Sequence, residues 1–267
     1  MDKATDQPDG LVNFNILGMN VAVTSLEVAS GQVLELSNTS SGSYVCAANV
    51  HMCMEAYRDH DFQSVVNNAV LVVPDGKPLM WWMRALGEKR AQQVRGPDLF
   101  LDVCDKAGKN GTPVALYGGS PDVLKHLQAY LTRHYPDLIV TCAISPPYRP
   151  LSEKEQNVDL EKIRSSGARI LFVGLGCPKQ ENWMASYYQK LDVVMLGVGA
   201  AFDFYSGEKK VAPEWMRKVG LEWLYRLLSE PGRLWRRYLY NNPVFIYQFL
   251  KAFIGKYLNM AHRNKSS

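Results

Sequence analysis

The chain alternates short apolar runs with longer segments in which apolar residues recur every three or four positions. The runs are rich in β-branched residues and predict strands at 43–48, 69–74, 113–118, 138–144, 168–176 and 192–199. The longer segments predict helices at 49–58, 78–86, 98–107, 121–134, 152–165 and 179–190. Because the strands are apolar on both faces, we predict an α/β fold with a Rossmann-like, mainly parallel sheet and helices on both faces.

The pattern changes beyond Pro213, where the alternation stops and the sequence becomes helical almost to its end. We therefore predict an α/β core at 1–207 and a helical C-terminal appendage at 208–267. From residue 244 onward the appendage has one narrow polar stripe on an otherwise apolar helix, which could pack on the core, on a second copy of the chain or in a bilayer interface. The stripe consists of Gln248, Lys251, Gly255 and Asn259.

Charge divides the chain at the same place. Residues 208–267 hold 12 Lys and Arg against 4 Asp and Glu, whereas the whole chain holds 30 against 26. A basic segment attracts the phosphates of nucleic acid, anionic lipid or a diphosphate ligand, although a solvated basic face has the same composition. No nucleic-acid-binding motif accompanies the charge, so we do not expect nucleic acid as a partner.

Four arginines of the appendage are spaced by seven and then by three or four residues, which would place them on one face of a helix. They are Arg226, Arg233, Arg236 and Arg237. Pro231 and Gly232 must break or kink that helix. Glu222 stands four residues before Arg226 and could form an intrahelical pair with it.

Polar and glycine-rich turns follow the predicted strands, and α/β folds keep their chemistry in these loops. The turns contain Asn49, Asp75, Gly118, Gly119, Gly174, Gly176, Gln180, Gly197 and Gly199. Glycine lets backbone N–H groups approach a phosphate, but tight turn geometry alone also requires it. Neither GLGCPK nor GVGAAF completes a GxGxxG fingerprint, which argues against a nicotinamide dinucleotide site.

Two charged residues near the strand ends are candidates for chemistry. Asp75 ends a strand between Pro74 and Gly76, where a carboxylate could accept a proton from an attacking hydroxyl, although Pro-Asp-Gly is also a common turn. Arg95 precedes a helix that Asp98 could cap. Its guanidinium could hold a phosphate or carboxylate through two bonds, or form only a surface ion pair.

The sequence gives little support for a metal site. The five histidines show no HxxxH or HExxH spacing. The DxD sequence Asp59-His60-Asp61 falls at a predicted helix end, where we interpret it as a solvated turn. We therefore predict no metal and no cofactor.

The cysteines and the start of the chain bear on location. Five cysteines without a CxxC pair indicate reduced thiols, and the polar start MDKATDQPDG does not resemble a signal peptide. No apolar run approaches the roughly 18–20 residues of a membrane-spanning helix. These features predict a cytoplasmic protein.

Several motifs together resemble one known family. The sequence ILFVGLGCPKQENW begins at residue 170, and GVGAAFDFYSGEKKVAPEWMRKVGLEWLYRLLSEPGRLWRRYL begins at residue 197. VVPDGKP, RGPDLF and YGGSP precede them in order. In these motifs the chain is similar to the WecG/TagA/CpsF glycosyltransferases from about residue 14 to about residue 245.

The resemblance implies an inverting, metal-independent hexosyltransferase. Such an enzyme moves a sugar from a UDP-sugar to a polyprenyl-diphosphate-linked saccharide, for a teichoic acid, common antigen, capsule or exopolysaccharide. It is peripheral to the cytoplasmic face of the bacterial inner membrane, which its C-terminal appendage contacts. A homo-oligomer is a further expectation.

The resemblance also implies roles for individual residues. Asp75 matches the proposed general base. The implied donor-site residues are Arg95 and Gln180. To these we add, as donor-binding candidates, Asn49, Glu181 and the turn glycines Gly118, Gly119, Gly174, Gly176, Gly197 and Gly199. The appendage is expected to close over this site and offer arginines to a diphosphate. By matching position these arginines are Arg226, Arg233 and Arg236, and we add Arg237 as a further diphosphate-binding candidate.

One departure from the family pattern concerns the donor sugar. Many members have Thr-Pro-Asn where this chain has Ala47, Ala48 and Asn49. A hydroxyl that meets a sugar strongly affects discrimination, so its absence leaves the donor open between N-acetylmannosamine, its uronate and glucose. An NAD-dependent nucleotide-sugar epimerase or dehydrogenase and a non-catalytic membrane-binding module are the alternative functions.

Overall fold

The computed structural model describes residues 12–39 and 41–265, and the side chains among them up to residue 258. The polar start of the chain, which bears on the signal-peptide prediction, lies outside the described residues, as does the side chain of Asn259. The strands are β1 (Asn13–Ile16), β2 (Met19–Ala22), β3 (Ser43–Ala48), β4 (Leu71–Pro74), β5 (Val114–Gly118), β6 (Val140–Ile144), β7 (Ile170–Gly174) and β8 (Val194–Gly197). The helices are α1 (Leu26–Ser37), α2 (Val50–Arg58), α3 (His60–Asn67), α4 (Lys77–Ala85), α5 (Gly96–Asn110), α6 (Pro121–His134), α7 (Glu153–Ser165), α8 (Lys179–Tyr187), α9 (Ala201–Tyr205), α10 (Glu214–Lys218), α11 (Glu222–Ser229) and α12 (Pro231–Lys265).

All six predicted strands and all six predicted helices form. Strands β3 to β8 make one parallel sheet in the order β4-β3-β8-β7-β5-β6. Their carboxyl ends therefore meet at one edge, where Asn49 follows β3 and Asp75 follows β4. The predicted fold class is confirmed.

The core consists of two apolar layers, because successive strand residues point to opposite faces of the sheet. In β3, Tyr44, Cys46 and Ala48 pack on the face that α2, α3, α4, α7 and α8 cover. Val45 points to the other face, where α1, α5, α6 and α9 pack. Burial on both faces explains why the strands are continuous apolar runs.

The hairpin formed by β1 and β2 was not among the predicted elements. Its strands have four residues each, too few for a clear alternation of apolar and polar positions. Leu17 and Gly18 form the turn, both with positive φ (54° and 90°), which matches the twist of a two-residue hairpin. Ile16, Met19 and Val21 join the core.

Polar side chains cap several of the helix starts. Ser120 caps α6, and Ser152 and Glu155 form the capping box of α7. Asp59 caps α3, a helix that was not predicted, so the exposed Asp59-His60-Asp61 starts a helix and is not only a solvated turn. The prediction that Asp98 caps a helix is wrong, because α5 begins at Gly96 and Asp98 lies within its first turn. There its carboxylate pairs with Arg95 at 2.7 Å.

The appendage folds as α10, α11 and α12. The predicted break at Pro231 is confirmed, since α11 ends at Ser229 and Pro231 starts α12. Helix α12 lies on α2 and α4, where Trp82 packs against Phe245 and Phe249 with ring centroids 5.0 and 5.4 Å apart. The division between 207 and 208 into core and appendage stays a prediction.

The polar stripe of α12 does not form one solvent-facing strip. Gln248 turns toward the core and donates a hydrogen bond to the hydroxyl of Tyr57 at 3.0 Å, whereas Lys251 is exposed. The solvent-facing side instead carries Leu250, Ile254 and Leu258, each about half exposed. Within the described residues, no helix offers an apolar stretch long enough to cross a membrane.

Candidate functional site

A cavity of about 350 Å³ lies between the carboxyl edge of the sheet and the appendage. The core contributes Asn49, His51 and Asp75 to its lining, and the appendage contributes arginines, asparagines and aromatic residues. The volume falls within the range of ligand pockets, on the order of 300–1,000 Å³. The cavity is therefore the candidate active site.

Asp75 is fixed in this cavity by the turn that follows β4. The backbone N–H of Asp75 donates to the carbonyl of Ala48 at 2.8 Å, and the side-chain amide of Gln93 donates to the backbone carbonyl of Asp75 at 2.7 Å. One carboxylate oxygen accepts a hydrogen bond from the N–H of Gly96 at 2.8 Å. This leaves the second oxygen for the cavity that the residue lines.

The surroundings of Asp75 tune its proton affinity. Burial and the nearby negative charge of Glu222 raise the pKa of Asp75 to about 6, against the opposing effects of the Gly96 N–H, Arg95 and Arg226. At neutral pH the carboxylate is still ionised but binds a proton far better than an exposed aspartate. These are the properties of a general base.

Arg95 is buried beneath the appendage, and its guanidinium forms ion pairs with two carboxylates. Two of its nitrogens donate to the carboxylate of Glu222, both at 3.1 Å, and a third donates to Asp98 at 2.7 Å. The surface-pair alternative is wrong, because only 7% of Arg95 is exposed. The predicted pair of Glu222 with Arg226 is also wrong, since Glu222 reaches across to the core.

Three arginines of the appendage line the cavity. They are Arg217, Arg226 and Arg237. The Nε atom of each is buried and has no hydrogen-bond acceptor among the described residues. Arg237 approaches the side-chain oxygen of Asn49 at 3.4 Å, and burial lowers the pKa of Arg237. The cavity therefore holds positive charge that protein carboxylates do not fully neutralise.

The other two predicted arginines lie outside this lining. Arg233 pairs with Glu230 at 2.7 Å, and the guanidinium of Arg236 lies 5.2 Å from the ring centroid of Trp235. Their diphosphate-binding role stays a prediction. Arg217 was missed, because it lies on a separate helix and carries no spacing signal that links it to the other arginines.

A polar network that the sequence analysis also missed holds α12 beside the cavity. Arg58 donates to the side-chain oxygen of Asn241 at 2.7 Å, and the amide of Asn241 donates to Nδ1 of His51 at 3.1 Å. Burial and the charges of Arg237 and Arg58 lower the pKa of His51 to about 4, so its ring is neutral and Nδ1 can accept this bond. The partners are more than 180 residues apart, and no sequence spacing could indicate them.

Gln180 and Glu181 lie behind the cavity rather than in its lining. The side-chain oxygen of Gln180 accepts hydrogen bonds from the N–H groups of Gly176 and Gly199, both at 3.2 Å. Its amide donates to Glu181 at 2.7 Å, and both residues are buried. Gln180 therefore joins the turns after β7 and β8, and its predicted contact with a donor stays a prediction.

Packing accounts for several of the turn glycines. A Cβ on Gly118 would approach the carbonyl oxygen of Gly174 to 2.5 Å, and a Cβ on Gly174 would approach Phe202 to 2.6 Å. Gly119 and Gly197 are crowded by Val123 and Gln180 in the same way. Close packing thus explains why a residue without a side chain is needed at these four positions, and the donor-binding role of the glycines stays a prediction.

In the part of the chain that the structure describes, no group of three or more His, Cys, Asp and Glu side chains could hold a metal ion. The prediction of a metal-independent reaction stays a prediction.

The fold is that of an α/β protein in which the carboxyl edge of a parallel sheet brings an aspartate and several arginines to one cavity. The model of the WecG/TagA/CpsF glycosyl transferase family matches residues 14–259. The chain belongs to this family. The prediction of a hexosyltransferase is confirmed. Membership of a glycosyltransferase family argues against both alternatives, the NAD-dependent epimerase or dehydrogenase and the non-catalytic membrane-binding module.

Two curated relatives carry the same name, N-acetylglucosaminyldiphosphoundecaprenol N-acetyl-beta-D-mannosaminyltransferase. The chain is 30% identical to the protein of Bacillus spizizenii over 213 residues, which cover 79% of the chain and 80% of the relative. It is 28% identical to the protein of Bacillus subtilis over 199 residues, which cover 74% and 75%. Both relatives are thus named for sugar transfer to a lipid-linked diphosphate.

Proposed function

We propose that the protein transfers a hexose from a UDP-sugar to a polyprenyl-diphosphate-linked saccharide, with inversion and without a metal ion, for a cell-envelope polymer or exopolysaccharide. The observation that carries the proposal is one cavity that combines Asp75 with three arginines whose Nε atoms are buried and unbonded within the described residues. The names of the relatives support a lipid-linked acceptor.

Asp75 acts as the general base. An acceptor hydroxyl aimed at the anomeric carbon loses its proton to the free carboxylate oxygen as it attacks, and UDP leaves from the opposite face of the sugar. A single displacement of this kind inverts the anomeric configuration. The raised pKa of Asp75 supports this role, because the carboxylate is ionised at neutral pH and still a useful proton acceptor.

The arginines neutralise diphosphate. Arg217, Arg226 and Arg237 offer donors for the charge of the leaving UDP or of the acceptor's own diphosphate, in a partly enclosed site where such bonds are strong. Asn49 adds a side-chain amide beside Arg237. In this proposal guanidiniums do the work that a divalent cation would otherwise do.

The donor sugar is of the N-acetylmannosamine type, its uronate or glucose. Ala47 lies close to Gly96, since a Cβ on Gly96 would approach the Ala47 methyl to 3.3 Å, and Gly96 holds Asp75. The position that carries a threonine hydroxyl in many family members is therefore an alanine close to the proposed base, Asp75. This position supports a donor preference that differs from that of threonine-bearing members.

The enzyme works as a peripheral protein on the cytoplasmic face of the membrane. The exposed Leu250, Ile254 and Leu258 on α12, together with the basic residues of the appendage, support reversible attachment to an anionic bilayer. A second copy of the chain is the alternative partner for this face.

The test is transfer itself. The purified enzyme is offered a panel of UDP-sugars, with and without EDTA, and a lipid-diphosphate-linked N-acetylglucosamine acceptor, and products are identified by mass spectrometry and their anomeric configuration by NMR. We expect one added hexose with inverted configuration, insensitive to EDTA. No transfer from any UDP-sugar, or complete loss with EDTA, would refute the proposal.

A further inference from the structure

The lining of the cavity changes character along one face of α12. Arg237, Asn241, Phe245 and Phe249 follow one another at intervals of four residues, so they share that face. At about 1.5 Å per residue, the face passes from a cation to aromatic rings over about 12 Å and remains aromatic for about 6 Å more. The two ends of the cavity therefore suit different chemistry.

Helix α4 and the first turn of α11 complete the apolar end. Trp82 packs on Phe245 and Phe249, while Trp81, Trp223 and Ile246 line the cavity with 47%, 37% and 54% of their surface exposed. Such a set of exposed large apolar side chains in one concave site marks a place where another apolar group binds.

The wall is held in position before anything binds. A Cβ on Gly220 would approach the indole of Trp81 to 2.5 Å, so the turn between α10 and α11 packs directly on this ring. Lys77 of α4 donates to the carbonyl of Lys218 at 2.7 Å and ties the same two segments together. Pre-formed walls reduce the entropy lost when a flexible ligand binds.

We propose that the apolar end of the cavity binds the first isoprene units of the acceptor's polyprenyl chain, while the arginine end holds its diphosphate. This inference rests on the proposed function and adds a protein site for the lipid tail. A polyprenyl diphosphate joins its anion directly to an apolar chain, and the cavity joins cations to an apolar wall in the same order. Attachment to the bilayer alone would not require that wall inside the cavity.

The proposal predicts that acceptor affinity depends on tail length in the absence of any bilayer. Acceptors with a methyl, one-isoprene, two-isoprene or three-isoprene tail are compared below their micelle-forming concentrations, without detergent or vesicles. We expect the acceptor KM to fall at least tenfold from the methyl to the three-isoprene tail, at constant KM for the UDP-sugar. A KM that does not depend on the tail would overturn the tail site and leave the proposed function standing.

Variants separate the wall from the rest of α12. Trp81→Ala and Ile246→Ala remove half-exposed side chains, so we expect the fold to survive. Each should raise KM for the three-isoprene acceptor about tenfold and leave KM for the methyl-tailed acceptor unchanged. Ile254→Ala is the matched control and should behave as the parent, because Ile254 is as exposed as Ile246 but lies farther along the helix, outside the cavity lining. A rise in the KM of the UDP-sugar alone would assign the wall to the nucleoside and contradict the proposal.

A binding measurement covers the case in which no acceptor is turned over. Farnesyl diphosphate is titrated against the parent enzyme and intrinsic tryptophan fluorescence is recorded, with inorganic diphosphate as the comparison. We expect saturable binding of farnesyl diphosphate that is at least tenfold tighter and that weakens in Trp81→Ala. Equal affinity for the two diphosphates, or saturation that accompanies dimerisation in sedimentation velocity, would overturn the tail site. Failure of transfer with every acceptor would instead count against the proposed function.

Discussion

Arg95 and Glu222, which are 127 residues apart, form a two-bond ion pair that anchors α11 to the core beneath the cavity. The pair is shielded, with 7% of Arg95 exposed, and loss of Glu222 would leave Asp98 as the carboxylate that pairs with the Arg95 guanidinium. The Glu222 carboxylate also raises the pKa of the neighbouring Asp75. Anchoring of the appendage and tuning of the proposed base therefore depend on one residue.

Glu222→Gln should move the pH dependence of the enzyme. The pKa of Asp75 should fall below about 6, because the negative charge of Glu222 is removed and the positive charge of Arg95 is less neutralised. Burial would still raise this pKa, and the Gly96 N–H and Arg226 would still lower it. The acidic limb of kcat/KM against pH should therefore shift to lower pH. Glu214→Gln, an exposed residue paired with Lys218, is the control and should leave the limb in place. If the acidic limb of kcat/KM does not shift in Glu222→Gln, then either Asp75 is not the group that titrates there or Glu222 does not raise its pKa.

Asp75→Asn should lower turnover and raise stability. Loss of a general base costs about 10²–10⁴ in kcat. The pKa of Asp75 is about 6 in the folded protein and 3.8 ordinarily, so the folded state binds more protons between these values and stability falls as pH rises from about 4 to about 6. Asparagine removes this loss, about 3 kcal/mol at most, at neutral pH.

Urea unfolding at several pH values checks the stability side of this variant, and UDP binding by calorimetry serves as the control for an intact site. The advantage of Asp75→Asn over the parent should appear between pH 4 and 6 and persist above. If the free energies of unfolding of the two proteins instead changed in parallel with pH, ionised Asp75 would not destabilise the folded protein and the prediction would be wrong.

Arg237→Met should weaken diphosphate binding without loss of stability. The methionine keeps most of the apolar stem and removes a guanidinium whose Nε is buried without an acceptor in the described part of the chain. A hydrogen bond to a charged group contributes about 1.5–3 kcal/mol, so affinity for UDP or the lipid-linked acceptor should fall about 10- to 100-fold. The neighbouring Arg236→Met, outside the cavity, is the control. Equal effects of the two variants in calorimetry would contradict the assignment.

Asn241→Ala should loosen α12. The buried side chain of Asn241 bridges Arg58 and His51, and its removal leaves both without this partner at a cost of about 1–3 kcal/mol. We expect a lower Tm and faster proteolysis within α12. Asn242→Ala is the matched control, because this adjacent residue lines the same cavity but does not belong to the network of Arg58, Asn241 and His51. Identical proteolysis of the two variants would show that the network does not hold the helix.

Serine at Leu250, Ile254 and Leu258 together should reduce membrane attachment. These residues form the exposed apolar face of α12, and their transfer into a bilayer interface contributes about 25 cal/mol per Å² of buried apolar surface. Sedimentation with anionic vesicles should fall strongly, while transfer to a soluble short-tailed acceptor is kept. Val158→Ser, an exposed residue of α7, is the control. Unchanged sedimentation of the triple variant would assign this face to another partner.

The sequence by itself determined the six-stranded sheet, six of the helices around it and the edge at which the strands end, but not the helices α1, α3 and α9. Continuous apolar runs can be buried only in a sheet covered on both faces, and parallel strands must end at one edge, so Asn49 and Asp75 could be placed together in advance. The break at Pro231 was equally local, because it depends on the backbone chemistry of a few neighbouring residues.

Only the tertiary structure decided which charges meet. Arg95 pairs with Glu222, Asn241 joins Arg58 to His51, and Arg217 and Arg237 rather than Arg233 and Arg236 line the cavity. These contacts depend on how α11 and α12 fold back over the sheet, and side-chain charges interact through space regardless of their distance along the chain. Helical spacing shows which residues share a face, but only packing decides which side of each helix faces the cavity and which faces solvent.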